Sequence, residues 1–410
     1  MGKFMTADND VIKENRENEV GGGPVPQDAP QEVQVEQAEG EPAGKGKKAK
    51  AKKKKSPLIK KPSFFSAFSF RQMDELVGVD IGTTSIKVCT LKNIKNVLTL
   101  QNIIRKTYEQ DLLSDGHIVD LDFVAQELRQ IFSDNKIKSK NVACALSSYS
   151  VITKKITTPF LEEGALEKMI DTEVENVIPF PLKDIYYSHY VMGVDPEKEN
   201  MMNVQIVAAK KEIVDGYMAA FNMAGMHLQI LDVDIFTVTN LIEQLYSPKD
   251  FSVVAVDIGA SVTNIAILKG ENIEFTREIL MGGKYLTNQI EKTTRLPFKE
   301  AEEKKIAGDS DVLYLFEDFI FNIASEISKT VKFYLATKPK ESIEMVYLTG
   351  GSSLVQGLKE KITEDTGVAV EVINPFLILK EDESKIHMHD EFKEFMVVPL
   401  YLSTRVTDLT

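Results

Sequence analysis

The fold of this chain is decided by the stretch Val77-Gly78-Val79-Asp80-Ile81-Gly82-Thr83-Thr84-Ser85. The short apolar run that ends at Ile81 predicts a buried strand. Gly82 permits a positive φ and close approach of a ligand, and the residues after it supply hydroxyl and N–H groups that suit an anion. Asp80 is compatible with a phosphate there only when Mg²⁺ lies between them, through water. Alone, the stretch fits an ordinary β-hairpin equally well.

A second copy of this pattern lies half a chain away. The segment that begins Val254-Ala255-Val256-Asp257-Ile258-Gly259-Ala260-Ser261 aligns with the first without gaps at an offset of 177, with six identities in fifteen positions. Asp257 and Gly259 coincide with Asp80 and Gly82. Two such hairpins predict two similar domains that face one ligand, and they make a chance hairpin the weaker interpretation.

A third glycine-containing turn, Gly350-Gly351-Ser352-Ser353, follows a predicted strand over 345–348. We expect a helix over 354–362 directly after it, whose N-terminus would favour phosphate. The two glycines would let an adenosine lie against the backbone. The sequence contains neither a Walker loop nor a dinucleotide Gly-x-Gly-x-x-Gly motif.

Composition and charge narrow the class of protein. The chain has 410 residues, 43% of them hydrophobic, which is enough for two or more domains. It has no run of eighteen apolar residues and no apolar secretory segment. Its two cysteines, Cys89 and Cys144, lie in apolar runs that predict buried thiols. These features suit the cytoplasm. The net charge is −13, which argues against nucleic acid as a partner of the folded body.

The charge is unevenly distributed. Residues 1–73 carry fourteen Lys or Arg and ten Asp or Glu, a net +4, so the remainder carries −17. We expect 1–73 to be a disordered arm, and its segment 45–71 combines ten lysines in Lys45–Lys61 with four phenylalanines in Phe64–Phe70. Lysines attract anionic lipid and phenylalanines insert at the interface, so we expect this segment to bind an anionic membrane surface. A solvated linker and RNA binding are the alternatives.

An insertion is predicted over 158–209. An amphipathic helix through Asn176 ends at Ile178-Pro179-Phe180-Pro181, because proline cannot continue the helical ladder, and a strand pair follows. Ile178, Phe180 and Leu182 are expected to be exposed there, and an exposed apolar surface indicates a partner.

The three turns together are similar to those of the actin-like ATPase superfamily. Within it the chain resembles the PilM family of type IV pilus assembly proteins, in the FtsA-like branch. The resemblance rests on Val79-Asp80-Ile81-Gly82 with Ser85-Ile86-Lys87, and on four further segments. These are Val151-Ile152-Thr153-Lys154-Lys155-Ile156, Glu173-Val174-Glu175-Asn176-Val177-Ile178-Pro179-Phe180-Pro181-Leu182, Ala208-Ala209-Lys210-Lys211-Glu212-Ile213-Val214-Asp215 and Leu231-Asp232-Val233-Asp234. It departs at Pro399-Leu400-Tyr401-Leu402-Ser403, where the family has Gly-Leu-Ala-Leu-Arg.

The resemblance implies an α/β actin-like ATPase fold, with two domains, a nucleotide cleft between them and an FtsA-type inserted subdomain. We place the first domain at 74–157 and 210–252, the inserted subdomain at 158–209, the second domain at 253–388 and a returning C-terminal helix at 389–410. It implies ATP and Mg²⁺ as ligands, with Asp80 and Asp257 holding Mg²⁺ through water. The other residues implied in nucleotide binding are Gly82, Thr83, Thr84, Ser85, Lys87, Gly259, Ala260, Ser261, Glu302, Lys305, Gly350, Gly351 and Ser352.

The family further implies an ATP-binding scaffold at the cytoplasmic face of the inner membrane. Such a scaffold binds the N-terminal tail of the membrane protein PilN, and self-association is also compatible with this class. The alternative is a sugar or acetate kinase of the same superfamily, for which Asp234 is the candidate base, although it also suits a helix N-cap. An FtsA-like division protein is a third hypothesis, disfavoured by the non-basic C-terminus. We expect slow or absent ATP turnover.

Overall fold

The structure is a computed structural model of the protein. It describes residues 5–6, 75–94, 97–195, 198–248, 251–379 and 393–405. The predicted arm, with Lys45–Lys61 and Phe64–Phe70, lies outside these ranges except for Met5–Thr6. That dipeptide pairs antiparallel with Leu231 and Ile230, so at these two residues the expectation of disorder is wrong. The reason is that the strand it joins would otherwise expose a free edge.

The described part of the chain alternates strands and helices. The strands are β1 (Met5–Thr6), β2 (Glu75–Ile81), β3 (Ser85–Ile94), β4 (Val97–Thr107), β5 (Leu113–Ser114), β6 (His117–Ile118), β7 (Asn141–Leu146), β8 (Val151–Pro159), β9 (Ile185–Val194), β10 (Met201–Lys210), β11 (His227–Val233), β12 (Ser252–Ile258), β13 (Thr263–Lys269), β14 (Asn272–Ile279), β15 (Ile343–Thr349) and β16 (Ala369–Val372). The α-helices are α1 (Leu121–Asp134), α2 (Glu163–Val177), α3 (Lys211–Met223), α4 (Asp234–Tyr246), α5 (Gly283–Thr294), α6 (Phe298–Ala307), α7 (Phe316–Thr337), α8 (Leu358–Thr366) and α9 (Lys393–Thr404).

The two large sheets repeat one topology. The first has the order β1-β11-β7-β2-β3-β4 and the second has the order β14-β13-β12-β15-β16. In each sheet the predicted hairpin and the next strand are antiparallel, and two further strands run parallel to the first hairpin strand. The repeat in sequence therefore corresponds to a repeat in structure, and it brings both aspartate turns to corresponding sheet edges.

The hydrophobic residues of β2 and β12 explain why these two strands lie inside the two large sheets. Val77, Val79, Val254 and Val256 are completely buried, and helices cover both layers. α4 begins directly after β11 and contributes Val238 and other apolar residues to the core that joins the two halves. The junction between strand and helix thereby places Asp234 at the floor of the cleft.

A third, small sheet of order β8-β10-β9 is covered by α2. The sequence predicts that the inserted subdomain starts at 158. In the structure its small sheet starts at Val151, because β8 pairs with β10 along its whole length. Ile178 is 4% exposed and belongs to the core beneath α2, so the expectation that it faces a partner is wrong. Helix termination at Pro179 turns the side chain of Ile178 inward.

The last helix, α9, lies on the first sheet despite the departure at 399–403. The backbone N–H of Gly78 donates to Ser403 Oγ at 3.0 Å. A Cβ at Gly78 would come within 1.9 Å of the carbonyl oxygen of Pro399, so a side chain there would push the helix away. Arg405 forms a buried ion pair with Asp232 of β11, which fixes the end of the helix.

None of the helices in the described ranges is both long and apolar enough to cross a bilayer.

Candidate functional site

The three turns singled out from sequence line a single cleft. Its cavity volume is about 620 Å³, within the range of small-molecule sites. The residues implied in nucleotide binding that line it are Asp80, Gly82, Thr83, Thr84, Ser85, Lys87, Asp257, Gly259, Ala260, Ser261, Glu302, Lys305, Gly350 and Gly351. Asp234 lines it as well, whereas Ser352 lies behind the wall, where its hydroxyl donates to the carbonyl of Gly259 at 3.0 Å.

The two hairpin turns close in the same way. Gly82 N–H donates to the carbonyl of Ser85 at 2.9 Å, and Gly259 N–H donates to that of Val262 at 3.0 Å. Neither glycine has a positive φ, which corrects the expectation for Gly82. A Cβ at Gly259 would lie 3.0 Å from the carbonyl oxygen of Val262, whereas one at Gly82 would make only ordinary contacts. Because the glycine N–H groups are engaged, the donors left for an anion are on the following residues.

The next two residues of each turn have those donors. Within the described ranges, the backbone N–H groups of Thr83, Thr84, Ala260 and Ser261 donate to no protein acceptor. The Thr83 and Thr84 carbonyls accept bonds from Leu112 and Tyr108, which holds that turn in place. Four such N–H groups, on residues that line one cleft, suit a polyphosphate.

The aspartates of the two hairpins have different surroundings. Lys87 Nζ lies 2.6 Å from Asp80 Oδ2, in an ion pair that is mostly shielded from solvent. Burial raises the pKa of Asp257 to about 6; nearby Lys87 lowers it and nearby Asp80 raises it. Asp257 therefore carries an electrostatic cost that a cation in the cleft would relieve.

Asp234 stands between the two domains. Its Oδ1 accepts a bond from the backbone N–H of Ser148 at 2.9 Å and a bond from the Ser148 hydroxyl, and its Oδ2 accepts one from Asn264 Nδ2 at 3.1 Å. Burial, and next the charge of Asp257, raise the pKa of Asp234 to about 7. The Ile235 N–H, in the first turn of α4, also bonds to Asp234 Oδ1 at 2.5 Å. Both carboxylate oxygens are thus held in place.

The residues present fit a magnesium ion bound through water. Within the described ranges no three His, Cys, Asp or Glu side chains approach closely enough to bind a metal directly. However, Asp80, Asp234 and Asp257 are among the carboxylates that line the cleft, and the buried Oδ1 of Asn264 has no hydrogen-bond partner. An acceptor oxygen of this kind suits a metal-bound water molecule.

The turn at 350–353 packs tightly on the second hairpin. Gly350 has φ +83°, and a Cβ there would lie 2.4 Å from the carbonyl oxygen of Ile258. The predicted helix start is wrong: a short 3₁₀ turn, Gly351–Leu354, follows, and α8 begins only at Leu358. Gly357, at φ +88°, separates them. No α-helix N-terminus therefore points at a phosphate from this turn.

Glu302 and Lys305 form a connected polar group on α6. Lys305 Nζ lies 2.6 Å from Glu302 Oε2 and 2.9 Å from Thr287 Oγ1. Burial lowers the pKa of Lys305, while Glu302 raises it. This arrangement presents polar side chains to the cleft.

Among the cleft residues that the sequence did not predict are three polar or aromatic side chains, Asn264, Arg105 and Phe395. The sequence repeat could have indicated Asn264, because the offset of 177 between the two hairpins aligns Lys87, a predicted site residue, with position 264. Arg105 and Phe395 come from β4 and α9, far apart in the chain, and only the fold brings them to the cleft.

A second surface lies where the small sheet meets the first domain. We define this junction surface by Phe180, Tyr186, Lys210 and Lys211. Phe180 is 36% exposed, with Lys210 Nζ 5.1 Å from its ring centroid, and Lys211 Nζ lies 5.1 Å from that of Tyr186. Leu182, in contrast, packs partly against the core under α2.

Comparison with known proteins identifies the family. Residues 78–399 match the family described as type IV pilus assembly protein PilM. The chain belongs to the PilM family. Because the match starts at Gly78 and runs to Pro399, it spans the second large sheet, the small sheet, the first large sheet except β1 and the start of β2, and most of α9.

The fold of this PilM-family chain agrees with solved structures. A PilM–PilN type IV pilus biogenesis complex matches with a TM-score of 0.72 at 24% identity, covering 82% of this chain and 99% of that one. The ethanolamine utilization protein EutJ from Carboxydothermus hydrogenoformans matches with a TM-score of 0.51 at 16% identity, covering 80% and 88%. The predicted actin-like ATPase fold is confirmed.

Curated relatives place the PilM-family chain near FtsA. The cell division protein FtsA of Enterococcus hirae is 24% identical over 349 residues, 73% of this chain and 78% of that protein. FtsA of Streptococcus pneumoniae is 22% identical over 355 residues, covering 73% and 75%. The predicted FtsA-like branch is thereby confirmed.

Proposed function

We propose that this chain is an ATP-binding scaffold of the type IV pilus assembly machinery. The observation that carries the proposal is the convergence on one cleft of two aspartate hairpins, four free backbone N–H groups and the Gly350–Gly351 turn. The N–H groups would hold the phosphates, while Asp80 and Asp257 would hold Mg²⁺ through water. Mg²⁺ would neutralise phosphate charge, and Asn264 Oδ1 would accept a bond from its water shell.

The state of Asp234 favours a scaffold over a small-molecule kinase. The carboxylate of a general base must turn toward the acceptor hydroxyl and come within hydrogen-bond distance of it. Both oxygens of Asp234 are already bonded, to Ser148 and to Asn264. We therefore expect slow ATP turnover at most, with ATP acting to hold the two domains together.

The partner we propose is the N-terminal tail of a PilN-like membrane protein. A PilM–PilN complex is among the structures that this chain resembles. The junction surface combines an exposed aromatic ring with two lysines, which suits an extended peptide with apolar and acidic side chains. Membership of the pilus family also favours a position at the cytoplasmic face of the inner membrane.

The arm over 45–71 would hold the protein at that membrane. Its lysines and phenylalanines suit an anionic bilayer, and proximity would raise the local concentration of a membrane-anchored tail. Deletion of 1–73 should abolish cosedimentation with anionic vesicles without changing tail affinity in solution. Unchanged cosedimentation would remove the arm from the proposal.

The nucleotide site is tested by Asp257→Ala. We expect the affinity for Mg·ATP to fall at least tenfold, about 1.4 kcal/mol, because the variant loses one of the two carboxylates that would hold Mg²⁺ through water. Isothermal titration calorimetry with and without Mg²⁺ measures this effect. ATP affinity equal to that of the wild type would contradict the site.

A further inference from the structure

Arg105 is a cation in the cleft that forms no ion pair with any residue the structure describes. It lies on β4, directly across the strand pair from Lys87, so both side chains leave the same face of the first sheet. Within the described ranges Arg105 forms no hydrogen bond and no ion pair, whereas Lys87 is paired with Asp80. The two neighbouring cations therefore differ: Lys87 is paired with a protein carboxylate, whereas Arg105 is available to bind a ligand.

Phe395 holds the Arg105 side chain in place. The guanidinium carbon lies 3.8 Å from the centroid of the Phe395 ring, a close cation–π contact. That ring in turn lies against Gly351, since a Cβ on Gly351 would be 2.4 Å from it. Stacking orients the planar guanidinium without using its N–H donors, so they remain free for a ligand.

The surroundings of Arg105 indicate what it would bind. Solvent reaches the side chain, but the cleft walls desolvate it and lower its pKa, while the charge of Glu302 raises it. It extends from the strand next to Lys87, at the phosphate end, to Phe395 at the Gly350–Gly351 turn. A group that lies between those ends in a nucleotide, and that suits an unpaired guanidinium, is a phosphate close to the ribose.

We propose that Arg105 binds the phosphate chain of the bound nucleotide, on the side of the first domain. This inference rests on the proposed nucleotide site and adds a positively charged contact to it. Arg105 then strengthens the binding of a nucleoside di- or triphosphate but not that of the nucleoside, which has no phosphate.

The test compares ATP, ADP and adenosine binding by calorimetry in the full chain. Arg105→Gln should weaken ATP and ADP binding about tenfold and leave adenosine binding unchanged, because adenosine lacks the phosphates. Arg105→Lys should give an intermediate loss, since it keeps the charge but not the planar stacking on Phe395. The control is Lys106→Gln, which removes the same charge from the same strand but on the opposite face, where Lys106 pairs with Glu127.

The outcomes separate this inference from the nucleotide site itself. If wild type binds ATP and Arg105→Gln binds it equally well, Arg105 does not contact phosphate. If ATP and adenosine affinities fall by the same factor, Arg105 is a structural residue and the inference is wrong. If the wild-type protein binds none of the three, the proposed nucleotide site fails, and the inference with it.

Discussion

Lys87 and Asn264 occupy the same position in the two repeated hairpins but bond to different partners. Each lies directly across its strand pair from the aspartate of its hairpin, Asp80 or Asp257. Lys87 Nζ bonds to Asp80 at 2.6 Å, whereas Asn264 Nδ2 bonds across the cleft to Asp234 at 3.1 Å. The first hairpin thus neutralises its own aspartate, and the second leaves Asp257 for a cation and links the two domains.

Making the repeat symmetric should therefore change the metal dependence of ATP binding. In Asn264→Lys the new ammonium is expected to pair with Asp257, as Lys87 pairs with Asp80. We expect the gain in ATP affinity on adding Mg²⁺ to fall about tenfold, because the lysine occupies the role of the cation. Calorimetry with and without Mg²⁺ measures the ratio. Lys269→Gln, at the far end of β13, is the control, and a wild-type ratio in Asn264→Lys would contradict the prediction.

The raised pKa of Asp234, about 7, predicts how stability depends on pH. A carboxyl group whose pKa is higher in the folded state binds its proton more tightly there. Its contribution to stability is therefore present below pH 4 and is lost as the pH rises through 7. Asp234→Asn should flatten the decline in the free energy of unfolding between about pH 4 and 7 by up to about 4 kcal/mol. Asp257, with a pKa raised to about 6, should leave a residual slope.

Urea denaturation at a series of pH values, in the presence of a chelator, measures this dependence. Asp234→Asn should fold, because the Asn264 amide can rotate and offer its unpaired Oδ1 to the new amide. A variant with the wild-type slope would show that Asp234 is ionised throughout this pH range.

The fold and much of the cleft were predictable because local patterns encode them. A repeated strand-turn-strand pattern places Asp80 and Asp257 at equivalent sheet edges whatever the rest of the chain does. The role of Arg105 depends on a contact with Phe395, which lies 290 positions later in the sequence, and no local pattern indicates that contact. The inward direction of Ile178 likewise depends on where α2 packs on the small sheet.

Gly78 tests how α9 is held on the first sheet. Gly78→Ala places a Cβ against the carbonyl of Pro399, so α9 must shift or the sheet must distort. We expect a loss of about 1–3 kcal/mol in the free energy of unfolding. The matched control is Gly216→Ala in α3, where a Cβ meets nothing within 4 Å. That change should raise stability by up to about 1 kcal/mol, because alanine favours the helix. Equal effects of the two changes would contradict the packing described for α9.

Substitution of Phe180 tests the junction surface as the binding site for the partner. Because the side chain is partly exposed, its loss can be separated from unfolding. The ring is 36% exposed and packs on Lys210, not in the core under α2, so its loss should not unfold the small sheet. We expect Phe180→Ala to weaken binding of a PilN-like tail peptide at least tenfold, since an aromatic anchor at an interface often supplies more than 1 kcal/mol. ATP affinity and the melting temperature should stay at wild-type values.

The control for Phe180→Ala is Phe321→Ala on α7, an exposed phenylalanine of the second domain that is 59% accessible. It removes the same side chain far from the junction surface and should leave tail binding unchanged. Fluorescence anisotropy of a labelled tail peptide measures both variants, and a thermal melt confirms that each is folded. Because Lys210 loses its aromatic neighbour, Phe180→Ala should also make tail binding more sensitive to salt, as a lysine released into water is screened more strongly. A folded Phe180→Ala protein with full tail affinity would remove the junction surface from the proposed function and leave the nucleotide cleft as its remaining support.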